Sequence, residues 1–190
     1  MMRRDEAAEL VRGRLGDGPT MAHCLACEAC MRALAARFGE DPDLWGLAGL
    51  THDIDLDECA HDLERHALVG AEILRAKGMA EPVVDAVLGH NDKTPRVSRM
   101  SKALWVVDPT TGFITAVALI RPSRSTSDLP ASSVRKRMKD KRFAAAVRRE
   151  QISACEAELG LGLEEFLTIC LAAMDGVRDA IGLGGAATPG

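Results

Sequence analysis

The residues of this chain with the most chemical potential are four histidines and two aspartates. His52 is followed directly by Asp53, and His23, His66, His90 and Asp108 stand on either side of that pair. Neutral imidazole is a ligand for borderline transition-metal ions, and a buried carboxylate usually requires a cation beside it, so the set reads as a buried metal site. Helical spacing supports this. Residues three, four and seven apart share a helix face. His23 then lies with Cys27, Cys30 and Leu34, and His52 with Trp45, Ala48 and Gly49. His66 lies with Val69, Gly70, Ile73 and Leu74, and His90 with Val83, Ala86 and Val87. These are apolar stripes, so the four imidazoles should point inward. The small residues on the His52 side should let a second helix come close. His61 has no such stripe and is expected to face solvent.

The elements that must position these groups read as helices, at about 4 to 15, 20 to 38, 42 to 54, 63 to 77, 81 to 91, 98 to 120, 131 to 140, 143 to 159 and 163 to 182. Pro42 suits a first helical turn and Gly78 a helix stop. Pro109 lacks a backbone donor and is expected to break the sixth helix, turning Asp108 toward the metal. The chain has 190 residues, is 47% hydrophobic and 3% aromatic, and contains no tyrosine. Its core must come from Leu, Val, Ile, Met and Ala, which favours an all-α bundle. Residues 1–182 are expected to form one domain, with a metal-site core at about 20–120, C-terminal helices at about 131–182 and a disordered tail at 183–190.

The order of histidines and aspartates resembles the HD-domain superfamily of metal-dependent phosphohydrolases. Leu47-Ala48-Gly49-Leu50-Thr51-His52-Asp53-Ile54 is similar to the signature turn of that family, and His66-Ala67-Leu68-Val69-Gly70-Ala71 to the segment carrying its next histidine. The segment from Leu104 to Gly112 and the basic stretch after Ser133 look like its short stand-alone predicted-hydrolase branch. The resemblance implies an HD-like helical bundle with a C-terminal helical extension. It implies one metal on His23, His52, Asp53 and Asp108, with Asp53 bridging to a second on His66 and His90. Asp53 is then also the catalytic acidic residue. The mixed nitrogen and oxygen ligands suit two divalent transition-metal ions, with Fe or Mn favoured and Zn, Co or Ni compatible. The implied activity is hydrolysis of a small phosphorylated, nucleotide-like substrate by metal-activated water. The alternatives are a two-iron oxygenase and a non-catalytic, metal-stabilised binding module. Where many members carry glycine, this chain has Asp55, which either orients a ligand imidazole or is solvated in an acidic loop with Asp57 and Glu58, the solvated reading being slightly favoured. It also has His90-Asn91 where several two-metal members have adjacent histidines.

Charge distribution bears on the substrate. The net charge is −4, yet the run from Val134 to Arg149 holds eight basic residues against Asp140 alone, leaving 16 basic and 27 acidic residues elsewhere. Such a run is either a solvated helix face or an anion-attracting rim near the metals. Lys93, Lys102 and Arg121 are the candidate phosphate contacts. Scarce aromatic residues and an otherwise acidic surface argue against nucleic acid as the main partner. No segment reads as a signal peptide or membrane span, so a cytoplasmic protein is expected. Cys24, Cys27 and Cys30 are spaced like iron-sulfur ligands. On a continuous helix, however, they spread over roughly 9 Å of rise, so they are read as reduced packing thiols.

Overall fold

The computed structural model describes residues 2–60 and 62–185; His61, expected to face solvent, and residues 186–190 of the expected tail lie outside the described residues. The described chain is all-α. Helix α1 spans Arg4–Leu15, α2 Pro19–Phe38, α3 Pro42–Thr51, α4 Leu68–Ala76, α5 Glu81–His90 and α6 Arg99–Leu119. The C-terminal helices are α7 Ala131–Arg137, α8 Arg149–Ser153, α9 Cys155–Leu159 and α10 Leu163–Gly176. Among the described residues there is no strand, only an isolated bridge between Ser125 and Gly184. That bridge and the buried Leu183 place residues 183–185 on the body of the protein instead of in a disordered tail.

The helix starts are encoded locally. Pro19 and Pro42 occupy first-turn positions, where no backbone donor is missed, and the Asp41 carboxylate accepts from the Asp43 and Leu44 amides at 2.9 and 3.3 Å. Gly39 closes α2 in the left-handed region at φ 71°, where a side chain would be strained.

Helix α3 is buried continuously from Trp45 to Thr51, because it is sandwiched between α2 and the rest of the bundle. The close approach depends on Gly49. A Cβ there would lie 2.6 Å from the Cys27 carbonyl oxygen and 2.7 Å from the Glu28 amide nitrogen. This contact brings the His52 end of α3 against the His23 turn of α2. Gly49→Ala should therefore force the helices apart and destabilise the protein by about 1–3 kcal/mol. Chemical denaturation would show this, and an unchanged midpoint would refute the close-packing argument.

Helix α6 runs through the middle of the molecule, touching α2, α3 and α5 on one side and α7 to α10 on the other. Its Phe113 and Ile114 are fully buried. Pro109 does not break it, contrary to expectation: the helix is continuous from Arg99 to Leu119. A proline costs a helix one backbone hydrogen bond and some crowding, and packing on both sides outweighs that cost here. Other expected helices are shorter as well, the one over 131–140 ending at Arg137 and the one over 163–182 at Gly176. The third ends at Thr51, and residues 52–60 form turns. The fourth begins at Leu68, after a left-handed Ala67 at φ 71°. The expected helix over 143–159 is divided. Turns occupy its first residues as far as Ala146, with Ala144 at φ 45°, and the helical part follows as α8 and α9.

Candidate metal centre

Six residues from five segments converge. His23 comes from α2, His52 and Asp53 from the turn after α3, His66 from the turn before α4, His90 from the last position of α5, and Asp108 from the middle of α6. Asp53 lies at their centre. Its Oδ1 is 3.3 Å from His66 Nε2, 3.4 Å from His52 Nε2 and 3.8 Å from His90 Nε2, while its Oδ2 is 3.7 Å from His23 Nε2. Asp108 Oδ1 lies 3.1 Å from His23 Nε2 and 3.9 Å from His52 Nε2. The Nε2 atoms of His23 and His52 are 3.2 Å apart, and those of His66 and His90 are 3.0 Å apart. Ligand atoms thus form two groups, one of His23, Cys27 and His52 and one of Asp53, His66 and His90. Together they make a binuclear metal-binding site.

Each of these four imidazoles is held by its other nitrogen. His52 Nδ1 donates to the Gly49 carbonyl at 2.8 Å, and His90 Nδ1 donates to the Val87 carbonyl. A carbonyl can only accept, so the proton sits on Nδ1 and a neutral ring turns its Nε2 lone pair to the centre. His66 Nδ1 is 2.8 Å from Asp55 Oδ1. His23 Nδ1 is 3.1 Å from the Thr111 hydroxyl, which itself lies 3.0 Å from the Asp108 carbonyl and donates to it. Anchoring of this kind fixes the tautomer and aim of metal-ligating histidines.

Asp55 takes the less favoured of its two expected roles, orienting a ligand imidazole. It is fully buried instead of solvated. Its Oδ2 accepts from the Ala67 amide at 2.8 Å and the Gly70 amide at 2.7 Å, capping the start of α4 from a distance in sequence, while Oδ1 holds His66. A Cβ at residue 70 would sit 3.2 Å from the Asp55 carboxyl carbon, which is why a glycine faces it.

The electrostatics fit a cation. Burial alone would raise the Asp53 pKa, but the surrounding imidazoles, His52 foremost, hold it well below the usual carboxylate range. Burial likewise opposes ionisation of Asp108 and Asp55, and hydrogen bonds from His23 and His66 respectively outweigh it. Burial disfavours a charged His66, yet its contacts with Asp53 and Asp55 raise its pKa to about 9. Burial and the neighbouring His52 push His90 down to about 4. With no metal, protons must supply the positive charge that these carboxylates demand. Metal uptake at pH 7 should therefore release a proton from His66, and apparent affinity should rise with pH, by about tenfold per unit for one displaced proton, until His66 is neutral near 9. The sign follows from competition between proton and cation for the same lone pair. Calorimetry in buffers of different ionisation enthalpy would measure it, and pH-independent affinity would contradict it.

Cys24, Cys27 and Cys30 are free, buried thiols. Cys27 Sγ lies 3.7 Å from His23 Nε2 and 3.2 Å from the Thr111 hydroxyl. Burial raises its pKa, which favours the thiol, whereas the thiolate is the metal-binding form.

The centre opens onto a pocket of about 250 Å³ whose lining includes His23, His66, His90 and Asp108 together with Val147, Arg148 and Gln151. The three cations expected to meet phosphate do not line it. Lys93 lies 3.7 Å from Glu64, Lys102 lines a separate cavity with Glu40 and Arg99, and Arg121 pairs with Asp128 at 2.6 Å beside another. Lys102 lies in the first turn of α6 and Arg121 just beyond its last residue, six and thirteen positions along the chain from Asp108. Arg148 is visible in the sequence only as one member of the basic run, and nothing in the spacing distinguishes Gln151 or the anchoring role of Thr111. Asn91, which follows His90, bonds the Leu63 and His66 carbonyls at 2.9 and 3.1 Å and ties the His66 turn to α5.

The HD domain family matches residues 20–110, a span that contains all six residues of the centre. The chain contains an HD domain. Its fold and binuclear site are those of the superfamily that includes metal-dependent phosphohydrolases. Among curated proteins, the chain is similar to Ribonuclease Y of Cutibacterium acnes (strain DSM 16379 / KPA171202), 29% identical over 110 residues, covering 57% of this chain and 19% of that protein. It is also similar to Ribonuclease Y of Nitratidesulfovibrio vulgaris (strain DP4), 29% identical over 93 residues, covering 48% of this chain and 18% of that protein. The chain thus spans less than a fifth of the length of these relatives. No solved structure matches it. None of the helices among the described residues is long and apolar enough to cross a membrane.

Proposed function

We propose that this HD domain is a metal-dependent phosphoric ester hydrolase acting on a small phosphorylated substrate. The observation that carries the reading is the orientation of the rings: four imidazoles, each anchored through Nδ1, aim Nε2 at one carboxylate, Asp53, and three of them line an open pocket. His23, His52, Asp53 and Asp108 would hold one divalent transition-metal ion, and Asp53, His66 and His90 a second. Iron or manganese is the favoured pair for this mixed ligand set, and zinc, cobalt and nickel are compatible. Two bound cations would lower the pKa of a water and neutralise charge on the phosphoryl oxygens. The protein's own groups do the rest. Asp53 holds the cation sites together, Asp55 and Thr111 keep the His66 and His23 rings aimed, and the pocket wall of Val147, Arg148 and Gln151 limits what reaches them.

The relatives named ribonuclease support phosphoester chemistry at such a centre, while their much greater length leaves RNA itself without support as a substrate of this chain. Protein purified without chelator should contain two transition-metal ions and release phosphate from simple phosphomonoesters or cleave a generic phosphodiester. Elemental analysis giving at most one ion in fully loaded protein would sink the binuclear reading. Oxygen consumption by iron-loaded protein, without phosphoester cleavage across the panel, would replace hydrolysis by the oxygenase reading.

A further inference from the structure

The pocket that holds the metal ligands is also lined by a pair of side chains with no role in holding the centre. Arg148 precedes α8 and Gln151 lies three residues on, one helical turn away, and both line the pocket. Gln151 is 6% exposed and lines the pocket, and its amide is not among the fully enclosed side-chain polar atoms left without a partner. The small surface it keeps is therefore assigned to the pocket it lines. The Arg148 side chain is about half exposed, and its nearest acid, Asp92, is 3.9 Å away and already engaged by Arg96. The guanidinium is thus available to an anion. Its backbone is fixed by the next residue. The Arg149 guanidinium donates to the carbonyls of Asp140, Phe143, Ala144 and Val147 and lies over the Phe113 ring, so the turn that carries Arg148 is stapled to α6.

We propose that Arg148 and Gln151 form a second recognition subsite, which selects phosphoesters carrying another anionic group close to the scissile phosphate. The inference rests on the hydrolase reading for the chemistry, and adds the substrate class. A volume of about 250 Å³ lies below the roughly 300–1,000 Å³ of typical small-molecule sites, so the two groups of the substrate must be close together. Guanidinium suits this task because its planar fork meets carboxylate or phosphate through two hydrogen bonds, and the amide of Gln151 offers a donor beside it. Arg149 is a positioning residue for Arg148.

The test compares p-nitrophenyl phosphate, with one anionic group, to a three-carbon bisphosphate, with two, on manganese-loaded protein. Arg148→Ala should lower kcat/KM for the bisphosphate by about tenfold or more, chiefly through KM, and change p-nitrophenyl phosphate less than about twofold. Gln151→Glu should weaken the bisphosphate similarly by like-charge repulsion, and Gln151→Met less. Equal losses on both substrates, or none on either, would overturn the subsite. Binding separates this outcome from failure of the hydrolase reading. By calorimetry, wild-type protein should bind inorganic pyrophosphate more tightly than inorganic phosphate, and Arg148→Ala should erase that preference. If wild-type protein hydrolyses neither ester but shows the Arg148-dependent preference, the hydrolase reading fails and the subsite stands. A wild-type protein without the preference overturns the subsite whatever the turnover.

Discussion

Asp53→Ala is expected to empty both metal positions and to remove turnover, by roughly 10³-fold or more, since several kcal/mol of charge stabilisation depend on the cations it holds. No other residue has comparable reach: its two carboxylate oxygens lie within 3.3 to 3.8 Å of the Nε2 atoms of all four histidines. Removing it leaves four imidazoles facing one another without the anion between them, so excess metal should not rescue the variant. Elemental analysis and phosphate release, with circular dichroism to confirm helicity, are the measurements. A variant that keeps two ions and near-normal turnover would end the bridging role. Single alanine variants of His66 or His90 should behave differently, losing the second ion and keeping the first.

The second large effect is expected at Asp55, where two substitutions separate structure from metal chemistry. Asp55→Ala leaves the Ala67 and Gly70 amides and His66 Nδ1 buried without their acceptor, and should destabilise the fold by about 3–5 kcal/mol. Asp55→Asn keeps the shape. The amide oxygen must stay on the two backbone donors, so the new NH₂ group faces His66 Nδ1. That nitrogen must then accept, which moves the ring proton to Nε2, where it blocks the lone pair. The asparagine variant should therefore remain folded while affinity at the His66 position falls about 10- to 100-fold. Isothermal titration against wild type would measure this. Equal metal affinity in Asp55→Asn would show that the tautomer of His66 is not set from residue 55.

Both experiments act on the turn between α3 and α4, where the sequence is least sufficient. Helical spacing correctly places His52 and His90 on inward faces, since both lie at helix ends whose apolar stripes define the core. It also finds His66 buried, for a reason that does not hold. The backbone of His66 lies outside the helix, and the left-handed Ala67 separates it from the stripe of α4. What buries it is the Asp55 carboxylate, a partner eleven residues earlier that periodicity cannot reveal. The sequence leaves the same acid between orienting an imidazole and being solvated, and tips toward solvation, because an isolated aspartate in an acidic run is normally exposed and only a tertiary cap makes its burial favourable.

Local chemistry determined the all-α class, the helix starts at Pro19 and Pro42, the small contact face at Gly49 and the types of metal ligand, because these follow from backbone geometry, residue size and donor atoms. The tertiary structure decided everything that depends on distance between segments. It carried α6 unbroken through Pro109, since packing on both sides outweighs one missing hydrogen bond, and so placed Asp108 beside His23. It also sent Lys102 and Arg121 to other cavities and brought Arg148 and Gln151 to the pocket instead. Charge is visible in a sequence, but the direction in which a long side chain meets a site is set by how helices cross, and those crossings arise from the packing of the whole core.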